Sequence, residues 1–145
     1  MNRMMKRLRH VGYVVEDLEK SVGMFTYLFD LDEDDVTYVS PDETGGQVAF
    51  AFIALGGIEL ELIQPLTDMF REMTGDTETG ITHFALEVTD IDKVVSGMEA
   101  KGVHLGYITP NGVFDTGKKK IAYLDPRDTG GNLIELVEVT GAESG

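Results

Sequence analysis

The sequence predicts an α+β fold in which a strand–helix–three-strand unit occurs twice. The segment L-R-H-V-G-Y-V-V-E-D-L-E-K-S-V at 8–22 returns 73 positions later as I-T-H-F-A-L-E-V-T-D-I-D-K-V-V. A second echo, at an offset of 74, matches G-G-I-E-L-E-L with G-G-N-L-I-E-L. Each half is short for an independent domain, and a duplicated unit typically buries its apolar face against its twin. We therefore expect one domain over residues 1–145, made of repeats at about 8–63 and 81–139.

The first repeat has the periodicities of one helix and four strands. Residues 8–15 alternate in polarity as a strand does, and Glu16 and Asp17 then open a helix with apolar residues at helical spacing. The short run V-T-Y-V predicts a strand. The runs V-A-F-A-F-I-A-L and I-E-L-E-L-I, joined by Gly-Gly, predict a β-hairpin.

The second repeat follows the same order. The strand I-T-H-F-A-L-E-V precedes a predicted helix from about Asp90 to Lys101, which Gly102 ends. A weak strand is expected over 103–108 and a loop over 109–117, followed by strands K-K-I-A-Y-L and N-L-I-E-L-V-E-V. Between the repeats, residues 64–79 are typical of a linker with a short helix.

Composition excludes several classes of function. The formal net charge of −14 argues against binding to nucleic acid or to an anionic membrane surface. The absence of cysteine excludes disulfides, a thiolate nucleophile and cysteine-ligated zinc. No run is long and apolar enough for a signal peptide or a membrane span, so we expect a soluble cytoplasmic protein.

One histidine and one glutamate occupy matched positions in each repeat. His10 pairs with His83, and Glu61 pairs with Glu135. Taken singly, each glutamate is more simply an exposed strand residue and His10 a structural histidine. Taken together, two imidazoles and two carboxylates predict a site for one divalent ion: Co, Mn, Ni, Fe, Mg, or Zn with an expanded shell. Four protein ligands leave two positions open for a substrate with two oxygens.

The residues of this tetrad and the segments around them resemble the vicinal-oxygen-chelate superfamily, from about Leu8 to Val139. The segment G-K-K-K-I-A-Y-L-D-P-R-D-T-G-G-N-L-I-E-L is the most specific, and its T-G-G turn is similar to that of methylmalonyl-CoA epimerases. The resemblance implies two βαβββ modules that form a cupped mixed sheet around one metal. It maps the metal ligands onto His10, Glu61, His83 and Glu135.

The resemblance also implies a reaction. Similar members epimerise the carbon between a carboxylate and a coenzyme A thioester through a metal-stabilised enolate. The base stays open, because a glutamate that some epimerases use is replaced here by Val48. Glu135 is the first candidate for the catalytic base and Glu59 the second, although Glu59 is more simply a polar residue at the rim. Asp125 stands where relatives usually have histidine.

The run Lys118, Lys119 and Lys120 is a local basic cluster in an acidic chain. It is either a contact for the phosphates of an acyl-CoA substrate or a solvated hairpin end.

The family resemblance implies a homodimer. The alternative functions are a glyoxalase I-like isomerase or lyase on the same scaffold, and a small-ligand binding protein of the resistance type. Fold alone does not decide among these functions.

Overall fold

The computed structural model describes residues 4–73, 79–106 and 108–141. Its helices and strands are, in order, β1 (Met5–Val14), α1 (Leu18–Leu28), β2 (Val36–Val39), β3 (Val48–Leu55), β4 (Ile58–Pro65), α2 (Asp68–Met73), β5 (Gly80–Val88), α3 (Ile91–Ala100), β6 (Phe114–Asp115), β7 (Lys119–Tyr123) and β8 (Ile134–Val139). The predicted α+β class is confirmed. Among the described residues, no helix has the length and apolarity needed to cross a membrane.

The chain divides into two compact units. The first, which we call the N-terminal unit, is His10–Thr82. The second, the C-terminal unit, contains residues 4–9 and 83–141. Each unit has one main helix and a mixed set of strands, as the repeat predicts.

The N-terminal unit contains strands in the order β2-β3-β4-β1. The β2–β3 and β3–β4 pairs are antiparallel, whereas β1 runs parallel to β4. Helix α1 packs one apolar face on these strands, since its buried Leu18 and Val22 belong to the same cluster as Ala51, Ile53 and Leu62. Because side chains alternate along a strand, Glu59 and Glu61 of β4 lie on the face away from α1.

The C-terminal unit repeats this arrangement in the order β5-β8-β7-β6. Strand β5 runs parallel to β8, and the β7–β8 and β6–β7 pairs are antiparallel. Helix α3 contributes Ile91, Val94 and Val95 to a buried cluster with Ala122 and Leu136. The other face of β8 carries Glu135, because neighbouring residues of a strand point to opposite faces.

Both main helices begin at an aspartate, as the sequence predicts. The Asp17 carboxylate accepts a hydrogen bond from a backbone N–H in the first turn of α1, and Asp90 does the same for α3. These side chains satisfy backbone donors that have no partner within the helix.

A second, less obvious contact ties each helix to its last strand. The backbone N–H of Leu18 donates to Oε1 of Gln64 over 2.8 Å, and that of Ile91 donates to Oε1 of Glu138 over 2.8 Å. Gln64 and Glu138 each lie three positions after the glutamate of the tetrad. The repeat thus extends to a helix anchor in which the side-chain oxygen is kept although the residue type differs.

The strand predicted over 103–108 is wrong. In the described part of this segment, a single bridge joins Leu105 to Leu124, and residue 107 lies outside the described residues. A Cβ on Gly106 would stand 3.0 Å from the Leu124 carbonyl oxygen, so the chain crosses close to the end of β7 and does not extend beside it. The third element of this module is β6 (Phe114–Asp115), inside the predicted loop 109–117.

Candidate functional site

The N-terminal unit brings His10 and Glu61 together. His10 lies on β1 and Glu61 on β4, where Gly12 is the register neighbour of Glu61. Glycine leaves room beside the strand, and the His10 Nε2 atom lies 3.7 Å from Oε1 of Glu61. Both residues are buried, with 6% and 8% of their surface exposed. The Phe52 ring, opposite Glu61 on β3, meets the His10 ring edge-on at 6.1 Å.

The C-terminal unit contains the equivalent pair, His83 and Glu135. The Nε2 atom of His83 lies 3.2 Å from Oε1 of Glu135, and both residues are buried. The register neighbour of Glu135 on β5 is Ala85, again a small residue, and its neighbour on β7 is Tyr123. The Tyr123 and His83 rings meet edge-on at 5.9 Å. Each unit therefore builds one buried His–Glu pair with the same strand geometry.

One hydroxyl group distinguishes the two pairs. Tyr123 donates a hydrogen bond of 2.9 Å to Oε1 of Glu135, the same oxygen that faces His83. Phe52, which occupies the matched place beside Glu61, has no hydroxyl. Tyr123 was not predicted from the sequence, because its counterpart Phe52 is matched through the registers of the two hairpins and not through the constant offset of the repeat. Aligning β7 and β8 as a hairpin would have identified it, since their alternation places Tyr123 opposite Glu135.

Glu59 lies on the same face of β4 as Glu61. Its register neighbours are His10 on β1 and Ala54 on β3, and its side chain is half-buried. Both placements agree with the predicted shared face. A catalytic role for Glu59 stays a prediction.

Each pair offers atoms that suit a divalent cation. His10, Glu61 and His83 each offer a nitrogen or oxygen atom that can bind a metal ion, as does the Glu135 carboxylate. Buried carboxylates beside imidazoles form a mixed nitrogen and oxygen donor set that fits first-row divalent ions. That all four residues share one ion stays a prediction from the repeat and the family resemblance.

A basic cluster surrounds Glu87 in the C-terminal unit. The Lys6 Nζ, Arg7 Nε and Arg9 Nη1 atoms lie 3.2–3.3 Å from its carboxylate oxygens. Burial opposes ionisation of Glu87, but the hydrogen bond from Lys6 and the charges of Arg7 and Lys6 outweigh it, so its pKa lies below the ordinary value. Arg9 is itself buried. The cluster ties the start of β1 to β5 by charge-assisted hydrogen bonds.

Asp125, the departure from the family pattern, has a structural role in the turn after β7. Its carboxylate accepts a backbone hydrogen bond from Arg127 over 2.9 Å and pairs with the Arg127 guanidinium at 2.6 Å. These hydrogen bonds hold the pKa of Asp125 below its usual range. Asp125 is thus the N-terminal cap of the short 3-10 turn Pro126–Asp128, because its side chain accepts a hydrogen bond from a backbone N–H of the turn.

The three lysines of the basic run have different surroundings. Lys118 is exposed in the hairpin, whereas Lys119 and Lys120 are half-buried on β7. The Lys120 Nζ atom lies 3.5 Å from the Asp92 carboxylate of α3. Lys119 has Val139 of β8 as its register neighbour, and it shares a face with Tyr123.

A cavity of about 360 Å³ lies on that face of the C-terminal unit. Its wall is mostly apolar and is formed by Ile108, Thr109, Pro110, Asn111, Gly112, Val113, Phe114, Ile121 and Tyr123. Tyr123 therefore both lines the cavity and contacts Glu135. The predicted loop 109–117 supplies most of the wall, which gives this unrepeated segment a place beside the His83–Glu135 pair.

Comparison with known proteins finds relatives and similar structures over most of the chain. The chain is 28% identical over 135 residues to the mitochondrial methylmalonyl-CoA epimerase of Dictyostelium discoideum, covering 91% of this chain and 78% of that protein. It is 29% identical over 137 residues to a lactoylglutathione lyase of Arabidopsis thaliana, covering 92% and 44% of the two chains. The crystal structure of methylmalonyl-CoA epimerase from Mycobacterium tuberculosis superposes with a TM-score of 0.79 at 25% identity, covering 97% and 92%.

These relatives include both epimerases and a glyoxalase-type lyase. The model of the glyoxalase/bleomycin resistance protein/dioxygenase superfamily matches residues 9–123, which is most of the chain. The chain belongs to the glyoxalase/bleomycin resistance protein/dioxygenase superfamily.

Proposed function

We propose that the protein is a divalent-metal-dependent epimerase of a 2-substituted malonyl-type acyl-CoA, similar to methylmalonyl-CoA epimerase. The observation that carries the proposal is the pair of buried His–Glu contacts at matched positions of the two units. The similarity to methylmalonyl-CoA epimerases, which extends over most of the chain, supports this choice of reaction.

The proposed metal ligands are His10, Glu61, His83 and Glu135. A bound divalent ion would supply a Lewis acid that stabilises negative charge on the carboxylate and thioester oxygens of the substrate. The donor set is compatible with Co, Mn, Ni, Zn, Fe or Mg.

Glu135 is the proposed base for the α-proton. Its carboxylate lies beside His83 and accepts a hydrogen bond from the Tyr123 hydroxyl, which fixes the orientation of the carboxylate. A base that is fixed within reach of its proton loses little entropy at the moment of transfer. Glu59, on the same face of β4 as Glu61, is the proposed second acid–base group, which would act on the opposite face of the substrate carbon.

The basic run at 118–120 supplies the proposed contact for the phosphates of the coenzyme A carrier. The charge of its lysines offsets the net charge of −14, which would otherwise repel such a ligand.

We further propose a homodimer, on the family resemblance, and the cytoplasmic location stays a prediction from the sequence. Sedimentation equilibrium of the purified protein measures the oligomeric state directly, and a monomer at micromolar concentration would exclude the dimer.

Proton exchange tests the proposed reaction. We expect the metal-loaded protein to exchange the α-proton of methylmalonyl-CoA for deuterium in deuterated water, as followed by NMR. The apoprotein, prepared with a chelator, is the matched control and should exchange at the spontaneous rate. Exchange at the spontaneous rate by protein with bound metal would refute the epimerase and leave the superfamily assignment intact.

Substitution tests the ligand set separately from the reaction. Glu61→Ala and His83→Ala should each abolish stoichiometric metal binding in calorimetry, because each removes one donor of four. The exposed His104, whose ring contacts Asp128, provides a control variant, His104→Ala, that should bind metal as the wild type does. Full metal occupancy in Glu61→Ala would contradict the ligand assignment.

A glyoxalase-type lyase is the second candidate. It is favoured by the similarity to the Arabidopsis thaliana lactoylglutathione lyase over 92% of this chain. The same metal-loaded protein should be assayed with methylglyoxal and glutathione. Turnover of their adduct together with no α-proton exchange on the acyl-CoA would select the lyase.

A further inference from the structure

We propose that one face of β7 is the binding track for the coenzyme A arm of the substrate, in which Lys119, and not Lys120, contacts a phosphate. The inference rests on the proposed function, because it takes the acyl-CoA as the ligand. In this arrangement Tyr123 marks the reacting end, Ile121 contacts the apolar part of the arm, and Lys119 receives the phosphate.

The alternation of β7 places three different chemical groups in a line. Lys119, Ile121 and Tyr123 pair with Val139, Val137 and Glu135 of β8, so all six residues share one face. At about 3.3 Å per residue, Tyr123 and Lys119 are ~13 Å apart along the strand. A carboxylate, an apolar surface and a cation therefore follow one another in the order of an acyl group, a carrier arm and a phosphate.

The apolar middle of the track is a cavity and not a flat strand surface. Ile121 and Tyr123 form one side of the cavity of about 360 Å³, and the segment 108–114 forms the other. Phe114, the register neighbour of Ile121 on β6, is 61% exposed. An exposed aromatic residue beside an apolar cavity indicates a binding surface.

Lys120 points to the opposite face of β7. Its neighbour Ala122 on that face is buried in the cluster beneath α3, and its own ammonium group contacts Asp92 of that helix. Asp115 is its register neighbour on β6. These acidic neighbours compete with any anionic ligand for Lys120, whereas Lys119 lies on the face of the cavity.

Coenzyme A itself is the probe for this inference, with binding measured by calorimetry on the metal-loaded protein. We expect Lys119→Ala to weaken the affinity about tenfold, because it removes a charge-assisted hydrogen bond to phosphate. We expect less than a twofold change for Lys120→Ala. Lys101→Ala, at the exposed end of α3, controls for the loss of one positive charge from the chain.

Pantetheine, which has the arm of coenzyme A but no phosphate, separates the two parts of the track. Lys119→Ala should change its affinity by less than about twofold. Phe114→Ala should weaken pantetheine and coenzyme A by the same factor, about threefold, because it removes apolar contact with the arm only.

Equal weakening of coenzyme A binding by Lys119→Ala and Lys120→Ala, or no weakening by Lys119→Ala, would overturn the inference. The outcome is separable from that of the epimerase proposal. Wild-type protein that exchanges the α-proton while Lys119→Ala binds normally refutes the track alone. A lysine-dependent affinity for coenzyme A without α-proton exchange supports the track and refutes epimerisation.

Discussion

The Tyr123 hydroxyl makes two otherwise matched glutamates chemically different. Glu61 and Glu135 have the same strand geometry, a small register neighbour and a histidine partner, but the antiparallel neighbour of Glu135 is Tyr123, whereas that of Glu61 is Phe52. A hydrogen bond to a carboxylate oxygen fixes the plane of the carboxylate and stabilises its charge. Tyr123 is therefore a positioning residue for Glu135, and its removal distinguishes the roles of the two glutamates.

We expect Tyr123→Phe to lower kcat for α-proton exchange about tenfold with little change in KM, because the proposed base Glu135 loses its fixed orientation while the contacts of the phenyl ring remain. Phe52→Tyr, which adds a hydroxyl at the matched place beside Glu61, is the control and should not lower kcat comparably. Stopped assays on each substrate enantiomer measure both constants. An unchanged kcat in Tyr123→Phe would show that the hydroxyl has no role in positioning Glu135.

Glu87 predicts a pH-dependent contribution to stability. Its pKa is lowered in the folded protein, so its stabilisation is present above the unfolded value, near the ordinary 4.5, and is lost as pH falls through the lower folded value. Glu87→Gln should reduce the free energy of unfolding by about 2 kcal/mol at pH 7.

That difference between Glu87→Gln and the wild type should shrink as the pH falls below about 4.5, because the Glu87 carboxylate then binds a proton, first in the unfolded chain and at lower pH in the folded protein. Urea unfolding followed by circular dichroism at several pH values measures it. Glu99→Gln, on the exposed side of α3, controls for the loss of one negative charge and should change stability by less than ~0.5 kcal/mol. A difference for Glu87→Gln that is constant with pH would contradict the assignment.

At the scale of elements, the sequence predicted most of the order and missed one crossing. The strands that carry the tetrad have clear alternation, and both main helices begin at a capping aspartate. A strand was predicted over 103–108 because V-H-L-G-Y-I has strand-like composition, whereas Leu105 and Gly106 cross close to the end of β7. Local propensity cannot report such a tertiary contact.

Gly106 is the residue on which that crossing depends. A Cβ at this position would lie 3.0 Å from both the Leu124 carbonyl oxygen and the Asp125 Cα. We expect Gly106→Ala to destabilise the protein by about 2 kcal/mol, since backbone atoms must move to relieve the overlap. Thermal unfolding measures the effect.

Gly97 of α3 is the matched control for this prediction, because no atom lies within 4 Å of a Cβ built there. Gly97→Ala should stabilise the helix by up to ~1 kcal/mol through its higher helix propensity. Stabilisation by both alanines would show that the approach at Gly106 is not tight in solution.

At the scale of the whole molecule, the repeat allowed the residues of the candidate site to be predicted from the sequence. Two histidines and two glutamates at matched offsets indicate metal chemistry from sequence alone, although each residue taken singly has a simpler explanation. The roles of the unrepeated residues were harder to predict. The roles of Asp125, Tyr123 and the segment 108–114 depend on turns and registers that no periodicity encodes.

The repeat also predicts a stoichiometry. If both His–Glu pairs serve one ion, calorimetric titration of the apoprotein with Co²⁺ should give one ion per chain, and the melting temperature should rise with the metal concentration. Two ions per chain would mean that each pair binds its own metal. His10→Ala should reduce the stoichiometry to zero in the first case and to one in the second.

Three consecutive lysines at 118–120 have a consequence for how this chain tolerates change. Side chains on a strand alternate with a period of two, so a one-residue insertion or deletion in the hairpin before β7 exchanges its faces. With lysine at three successive positions, a lysine would again occupy the face of the cavity after either change, but Tyr123 would turn from Glu135 to the opposite face of the strand. The length of this hairpin is therefore constrained by the contact between Tyr123 and Glu135 and not by the lysines.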